Sequence, residues 1–305
     1  MIYTVTLNPS VDYHLWIPAI REGTILQVQK EWKAAGGKGI NVSRVLKILG
    51  MESTALGFIG GFTGAFIRQQ VEQAGIAHRL IAIEQDSRIN LKIKAETETD
   101  ISGVAPVIPP EAAAQLMKQL DELLGSGDDL VLAGSIPQSL PGDFYQTIMR
   151  RLRNRGVRIF LDAKGDTLRR GLAEAPFLIK PNHHELGDLF GVTITTTTDA
   201  IQYGQRALEM GAQNVIVSMA GQGAVFVNRR EVYVAAIPPR KPVNSVGAGD
   251  AMVAGYLYAD RSGMEREAAF RFAVAAGSTT ALSEGFCTQE NIDGFLPEIT
   301  IQKIK

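Results

Sequence analysis

The run Gly247-Ala248-Gly249-Asp250 stands just ahead of an apolar segment with helical character. Glycines before a helix let the backbone approach a ligand closely. The free N–H groups of the first turn then point at an anion, and the helix dipole adds favourable charge. Asp250 stands in that turn, where it also reads as a simple N-cap. The segment it opens is apolar, however, and a carboxylate facing an anion site opposes anion binding unless it moves a proton. An Asp beside an anion hole suits a general base that takes a proton from an attacking hydroxyl.

Four further clusters could carry chemistry. Ala35-Gly36-Gly37-Lys38-Gly39-Ile40-Asn41 is a second Gly-rich turn opening a helix. It is not a Walker A loop, because Gly39 follows Lys38, and no G-x-G-x-x-G occurs in the chain. Alone it reads equally as a tight loop. Lys180-Pro181-Asn182-His183-His184-Glu185 places Asn182 and Glu185 three apart, on one helix face. They could hold a hydrated Mg²⁺, although a helix start with Glu in its first turn explains the same spacing. No H-E-x-x-H is present, which argues against zinc. Arg88, Asn90 and Lys92 share one face of a strand and form a receptor for phosphate, or else a solvated edge. Asp12 follows the first strand in Thr6-Leu7-Asn8-Pro9-Ser10-Val11-Asp12. There it could accept hydrogen bonds from sugar hydroxyls, or be a turn residue after Asn-Pro.

The elements that position these residues alternate. Short β-branched runs read as strands at 2–7, 54–59, 130–133, 157–162, 177–180, 215–218 and 224–227. Helical spacing recurs at Val42, Val45, Leu46 and Leu49, and over 110–124, 143–154 and 198–210. Alternation of this kind predicts βαβ units and a mostly parallel sheet. Segments 249–259 and 268–283 carry few charges and predict helices packed centrally. Segments 13–33 and 87–104 lack helical periodicity. The second alternates Ile89, Leu91 and Ile93 with Asn90, Lys92 and Lys94, a strand with one wet face, so the two could form a small attached sheet.

Bulk composition narrows the class. Thirty-one Lys+Arg balance 32 Asp+Glu, a net charge of −1, which argues against nucleic-acid or membrane-surface binding. The lone Cys287 forms no internal disulfide. No apolar run approaches a membrane span, and the first residues lack a signal-peptide pattern, so a cytoplasmic protein is expected. Thirty-one of 305 residues are glycine, above the roughly 7% average. Many fall in the turns above and at Gly60, Gly61, Gly64, Gly221 and Gly223, where bare backbone would meet phosphate oxygens.

Together these motifs resemble the PfkB family of ribokinase-like sugar kinases. Val243–Met252 is similar to the family's C-terminal signature and Ala35–Leu49, AGGKGINVSRVLKIL, to its N-terminal one. The resemblance spans essentially the whole chain. TLNPSVD, GGKGINV, RINLKIK, LAGSIP and KPNHHEL resemble its phosphosugar branch. The resemblance implies one Rossmann-like α/β domain over 1–305, a mostly parallel sheet flanked by helices, with a small β-sheet lid inserted at about 12–33 and 87–104. It implies ATP as phosphoryl donor, Mg²⁺, and a possible homodimer through the lid. By the same resemblance, Asp250 is the base and Gly247, Ala248 and Gly249 form the anion hole. Asp12, Gly37, Lys38, Asn41, Arg88, Asn90 and Lys92 face a sugar phosphate, with Lys38 and Lys92 assigned to phosphate by their charge. Lys180, Asn182, Ser218, Gly221 and Gly223, with Ala248 and Gly249, face ATP. Asn182 and Glu185 lie near Mg²⁺. Lys164 departs from the branch, which usually has a small hydroxyl residue there.

The implied reaction is ATP-dependent phosphorylation of a ketohexose phosphate. Fructose 1-phosphate, giving the 1,6-bisphosphate, is expected ahead of tagatose 6-phosphate or fructose 6-phosphate. A catalytically silent sugar-phosphate sensor and a dehydrogenase are the readings from other classes. The retained Asp250 argues against the first, and the missing dinucleotide fingerprint against the second.

Overall fold

The computed structural model describes all 305 residues. Its strands, in chain order, are β1 (Ile2–Thr6), β2 (Ser10–Trp16), β3 (Lys30–Gly36), β4 (Thr54–Gly60), β5 (Ala77–Ile83), β6 (Arg88–Lys94) and β7 (Glu98–Ile101). They continue with β8 (Asp129–Ala133), β9 (Arg158–Asp162), β10 (Leu178–Ile179), β11 (Asn214–Ser218), β12 (Ala224–Asn228), β13 (Val232–Ala236) and β14 (Thr300–Lys303). The helices are α1 (Lys38–Ile48), α2 (Gly61–Gln73), α3 (Pro110–Leu123), α4 (Phe144–Leu152) and α5 (Gly165–Leu172). After them come α6 (His183–Phe190), α7 (Thr197–Glu209), α8 (Ala248–Arg261), α9 (Arg266–Ala281) and α10 (Gln289–Phe295).

Ten strands form one sheet in the order β14-β13-β12-β11-β10-β9-β8-β1-β4-β5. From β5 to β11 every pairing is parallel, and the last three are antiparallel. Side chains alternate between its faces. Val5, Leu130, Leu132, Val215 and Val217 pack under α3 to α7. Val131, Phe160, Ile216 and Phe226 pack under α1, α8, α9 and α10. A strand covered on both faces needs apolar residues throughout, which explains the continuous runs in β8 and β11. The two helices with few charges, α8 and α9, are central as expected. Gly255 lies so close to Ala276 that a Cβ there would stand 2.8 Å from it.

The strands and helices foreseen from periodicity are present, with ends shifted by a residue or two. One strand is much shorter than expected: β10 spans only Leu178–Ile179. Pro181 follows close behind and has no N–H to give a ladder. The strands β5, β13 and β14 escape the periodicity, as do α2, α5 and α10, and α6 is foreseen only as a helix start at Asn182. β14 is a mostly exposed, polar edge strand, and edges need no apolar run.

The remaining strands make a separate four-stranded sheet, β3-β2-β6-β7, built from the two aperiodic segments. β6 is an interior strand of this sheet, not an edge. Its register pairs Ser10 with Arg88, Asp12 with Asn90 and His14 with Lys92. Ser10, Asp12, Arg88, Asn90 and Lys92 face the large sheet across a crevice, and Ile89, Leu91 and Ile93 take the other face. The polar face of β6 is therefore the inner one, and the apolar face looks outward.

Candidate active site

The crevice lies beyond the carboxyl ends of the parallel strands, beside β1, where the strand order reverses toward β4 on one side and β8 on the other. Open α/β sheets leave a cleft at such a point. Here it is a cavity of about 950 Å³ lined from both sheets.

Asp250 occupies its floor. Gly247 caps α8 with φ +81°, and a Cβ there would strike the Phe286 ring at 2.5 Å. Ala251 N donates to Gly247 O, while the N–H groups of Gly249 and Asp250 lie in the first turn, which lacks intrahelical acceptors. The Asp250 side chain caps nothing. It is 5% exposed, and Asn41 Nδ2 of α1 donates to its Oδ2 at 2.8 Å. Burial pushes its pKa up to about 7, and the nearby Asp162 adds to the rise. Lys38, the Asn41 hydrogen bond and Lys180 pull the other way. A carboxylate so poised can accept a proton at neutral pH.

Lys38 and Lys180 share this floor. Lys38 Nζ donates to Asp162 Oδ1 at 3.0 Å, and Lys180 Nζ stands 3.7 Å from the same oxygen. Burial would lower the Lys38 pKa, but Asp162 and Asp250 outweigh it and hold the ammonium above the usual lysine range. Gly249 admits Lys180: a Cβ there would lie 3.0 Å from its Nζ. Asp162 carries no signal in the sequence beyond its place at a strand end.

The small sheet supplies the opposite wall. Ser10 Oγ donates to Asp12 Oδ1 at 2.7 Å, and Asn90 Nδ2 donates to the same oxygen at 2.9 Å. Gly36 is bare because Asp12 lies against it; a Cβ would meet Asp12 Oδ2 at 2.3 Å. Arg88 faces the cavity with its buried Nε unpaired by any protein acceptor. Burial lowers its pKa while Asp12 opposes this. Lys92 also lines the cavity, but its ammonium is shared with Asp100 at 2.5 Å. Gly37 caps α1 at the same end. Asn8, Ser102 and Ser135 line the cavity too; small polar residues without charge or spacing gave no warning of it.

At the far end, Ser218, Gly221 and Gly223 lie beside Ile237, Pro238, Val274, Gly277 and Ala281. The small side chains on α9 leave a flat apolar slot. Lys164 caps α5 nearby, exposed and without an ion-pair partner. Asn182 and Glu185 form a capping box: Glu185 N donates to Asn182 Oδ1 at 2.8 Å, and Asn182 N donates to Glu185 Oε2 at 3.0 Å. Their three-residue spacing is thus explained by the helix start. Glu185 Oε1 makes no hydrogen bond and both residues line the cavity. One free carboxylate oxygen fits Mg²⁺, which keeps most of its waters and binds chiefly through phosphates.

The glycine excess has a different cause from the expected one. Gly36, Gly39, Gly60, Gly61 and Gly64 do not line the cavity. A Cβ at Gly60 would meet Gln85 O at 2.0 Å, and one at Gly223 would meet Ala235 O at the same distance. Most of these glycines let one chain segment pass close to another. Among the cavity-lining glycines, Gly221 alone has nothing within 4 Å of where a Cβ would stand.

Residues 5–292 match the model of the pfkB family of carbohydrate kinases. The chain belongs to that family. Its relatives include the 1-phosphofructokinase of Bacillus subtilis, 44% identical with both chains wholly covered. The D-tagatose-1-phosphate kinase of Bacillus licheniformis is 32% identical over 99% of each chain. Among solved structures, phosphofructokinase-2 of Escherichia coli in complex with substrates and products superposes with a TM-score of 0.92 at 29% identity. The match covers 97% of this chain and 98% of that one. The same protein has been solved in a tetrameric inhibited form. The fold is therefore the mixed α/β fold of the pfkB kinases, with a large sheet between helices and a small sheet beside it. No helix is long and apolar enough to cross a membrane.

The raised pKa of Asp250 makes its ionisation a cost to the folded state. Stability from this group is present at low pH and is lost as pH rises through about 7. Asp250→Asn is therefore expected to melt several degrees above the wild type at pH 8.5, with the gap narrowing at pH 5.5. Thermal unfolding at the two pH values checks this; an equal or lower melting temperature at pH 8.5 contradicts it.

Proposed function

We propose that this carbohydrate kinase phosphorylates fructose 1-phosphate, with ATP as donor, to fructose 1,6-bisphosphate. The observation that carries this is a single cavity with a buried, proton-accepting Asp250 at one helix N-terminus and Arg88, Asn90 and Asp12 facing it from the small sheet. Relatives along the full chain are named for ketohexoses that carry their phosphate at C1. This favours a 1-phosphate over tagatose 6-phosphate or fructose 6-phosphate.

Asp12 and Asn90 suit sugar hydroxyls, and Arg88 suits the sugar's phosphate. With the C1 phosphate held there, the C6 hydroxyl reaches toward Asp250. Asp250 takes the hydroxyl proton as that oxygen forms its bond to the γ-phosphorus, and the bond to the β–γ bridging oxygen breaks, releasing ADP. The N–H groups of Gly249 and Asp250 stabilise charge on the transferring group, as do the Lys38 and Lys180 ammonium groups. The slot at Ile237, Pro238 and Gly277 takes the base. Asn182 and Glu185 would hold Mg²⁺, and the ion when bound would supply charge neutralisation for the phosphates. The small sheet acts as a lid that excludes water, the competing acceptor. Both substrates belong to the cytoplasm, where we place the enzyme.

A coupled assay tests the substrate. Fructose 1-phosphate is expected to give at least about tenfold higher kcat/KM than tagatose 1-phosphate, tagatose 6-phosphate or fructose 6-phosphate, since a misplaced hydroxyl or phosphate leaves polar groups unpaired. A preference for either 6-phosphate contradicts the assignment. No ATP consumption with any of the four identifies a catalytically silent sensor instead of a kinase.

The lid also carries the expected dimer. Its outer face presents Leu15, Leu91 and Ile93 with Ile89 at 38% and Ile101 at 50% exposure. A second copy of the same sheet would cover this apolar face. Light scattering after size exclusion should give a dimer for the wild type and a monomer for Ile89→Asp/Ile101→Asp. A monomeric wild type refutes the interface.

A further inference from the structure

Asp162 takes no direct part in the transfer, yet it lies where the two ends of the cavity meet. It ends β9, is 2% exposed, and its Oδ1 lies within 3.0 Å of Lys38 Nζ and 3.7 Å of Lys180 Nζ. Its Oδ2 has no protein partner. The two lysines come from different elements, and neither has a second carboxylate within ion-pair distance. An unanchored lysine spreads over many rotamers, so a shared acceptor decides where both ammonium groups stand. A carboxylate is a poor neighbour for a polyanion, and burying one is costly unless it is paired.

The geometry points to Asp162 as a positioning residue: one buried carboxylate that holds the Lys38 and Lys180 ammonium groups side by side on the cavity floor, next to Asp250. This rests on the functional reading above. Held cations stabilise the charge of a transferring phosphoryl group without reorganising when it develops. Asp162 thus opposes ATP binding slightly by its charge while raising the rate of transfer.

Asp162→Asn separates these effects. ATP affinity, measured by calorimetry, should be equal to the wild type or up to about fivefold tighter, because a negative charge leaves the floor. The kcat with fructose 1-phosphate should fall about 50-fold or more, because the ammonium groups are no longer held. A merely structural defect weakens both together. Asp162→Glu keeps the charge but moves it by one methylene, so its kcat should lie between the two at near wild-type ATP affinity. A kcat of Asp162→Asn within about threefold of wild type overturns the proposal, as does weakened ATP binding. If Asp162→Asn does not fold, Asp162→Glu decides, and unchanged kcat in it overturns the proposal. If the wild type phosphorylates no ketohexose phosphate, the functional reading fails separately. The ATP affinity of Asp162→Asn then decides this inference alone, weaker binding overturning it.

Discussion

Two buried carboxylates, the buried Lys180 and the half-buried Lys38 share the floor of one cavity, and the rest of the site depends on their balance. Asp162 and Asp250 would each be costly to bury alone, and so would Lys180. Removing Asp162 from such a set typically costs about 3–5 kcal/mol, because the two ammonium groups are left uncompensated. The set holds because its members come from rigid elements: α1 brings Lys38, β9 brings Asp162, β10 leads to Lys180, and α8 brings Asp250. Asn41 adds the hydrogen bond that orients Asp250. The result is a carboxylate that can take a proton near pH 7 beside helix N–H groups with no intrahelical acceptor. Those two properties conflict unless cations stand between them.

The net charge of −1 gains meaning from this arrangement. A protein that handles two polyanions has no global positive field, so its anion binding is local. In the proposed reading it comes from the N-terminus of α8, from two lysines tied to Asp162, and from Arg88, whose Nε is unpaired. The fold supplies the convergence. Parallel strands send their carboxyl ends to one edge, and the small sheet closes over that edge with its polar face inward.

Much of this was legible in the residue order. The alternation of apolar runs places the strands and helices, and glycines before an apolar helix single out Asp250. What escaped has physical causes. Asp162 contacts one lysine more than a hundred and twenty positions away and another just past the end of a neighbouring strand, and no local spacing encodes these contacts. Edge strands such as β14 need no apolar run. The Asn182–Glu185 spacing serves a capping box and a cation equally well, and only the hydrogen bonds show that the box is present. Glycines look alike in sequence whether they admit a ligand or a neighbouring carbonyl, and Gly60 and Gly223 serve the second purpose. The face of β6 could not be oriented until β2 and β7 flanked it.

The most direct test of the central claim is the turnover of Asp250→Ala with saturating ATP and fructose 1-phosphate, alongside the affinity for each. The base is needed only for the transfer, so kcat is predicted to fall by about a thousandfold while both ligands bind within about threefold of wild type. A kcat within about tenfold of the wild type would contradict the assignment of Asp250 as the group that takes the hydroxyl proton.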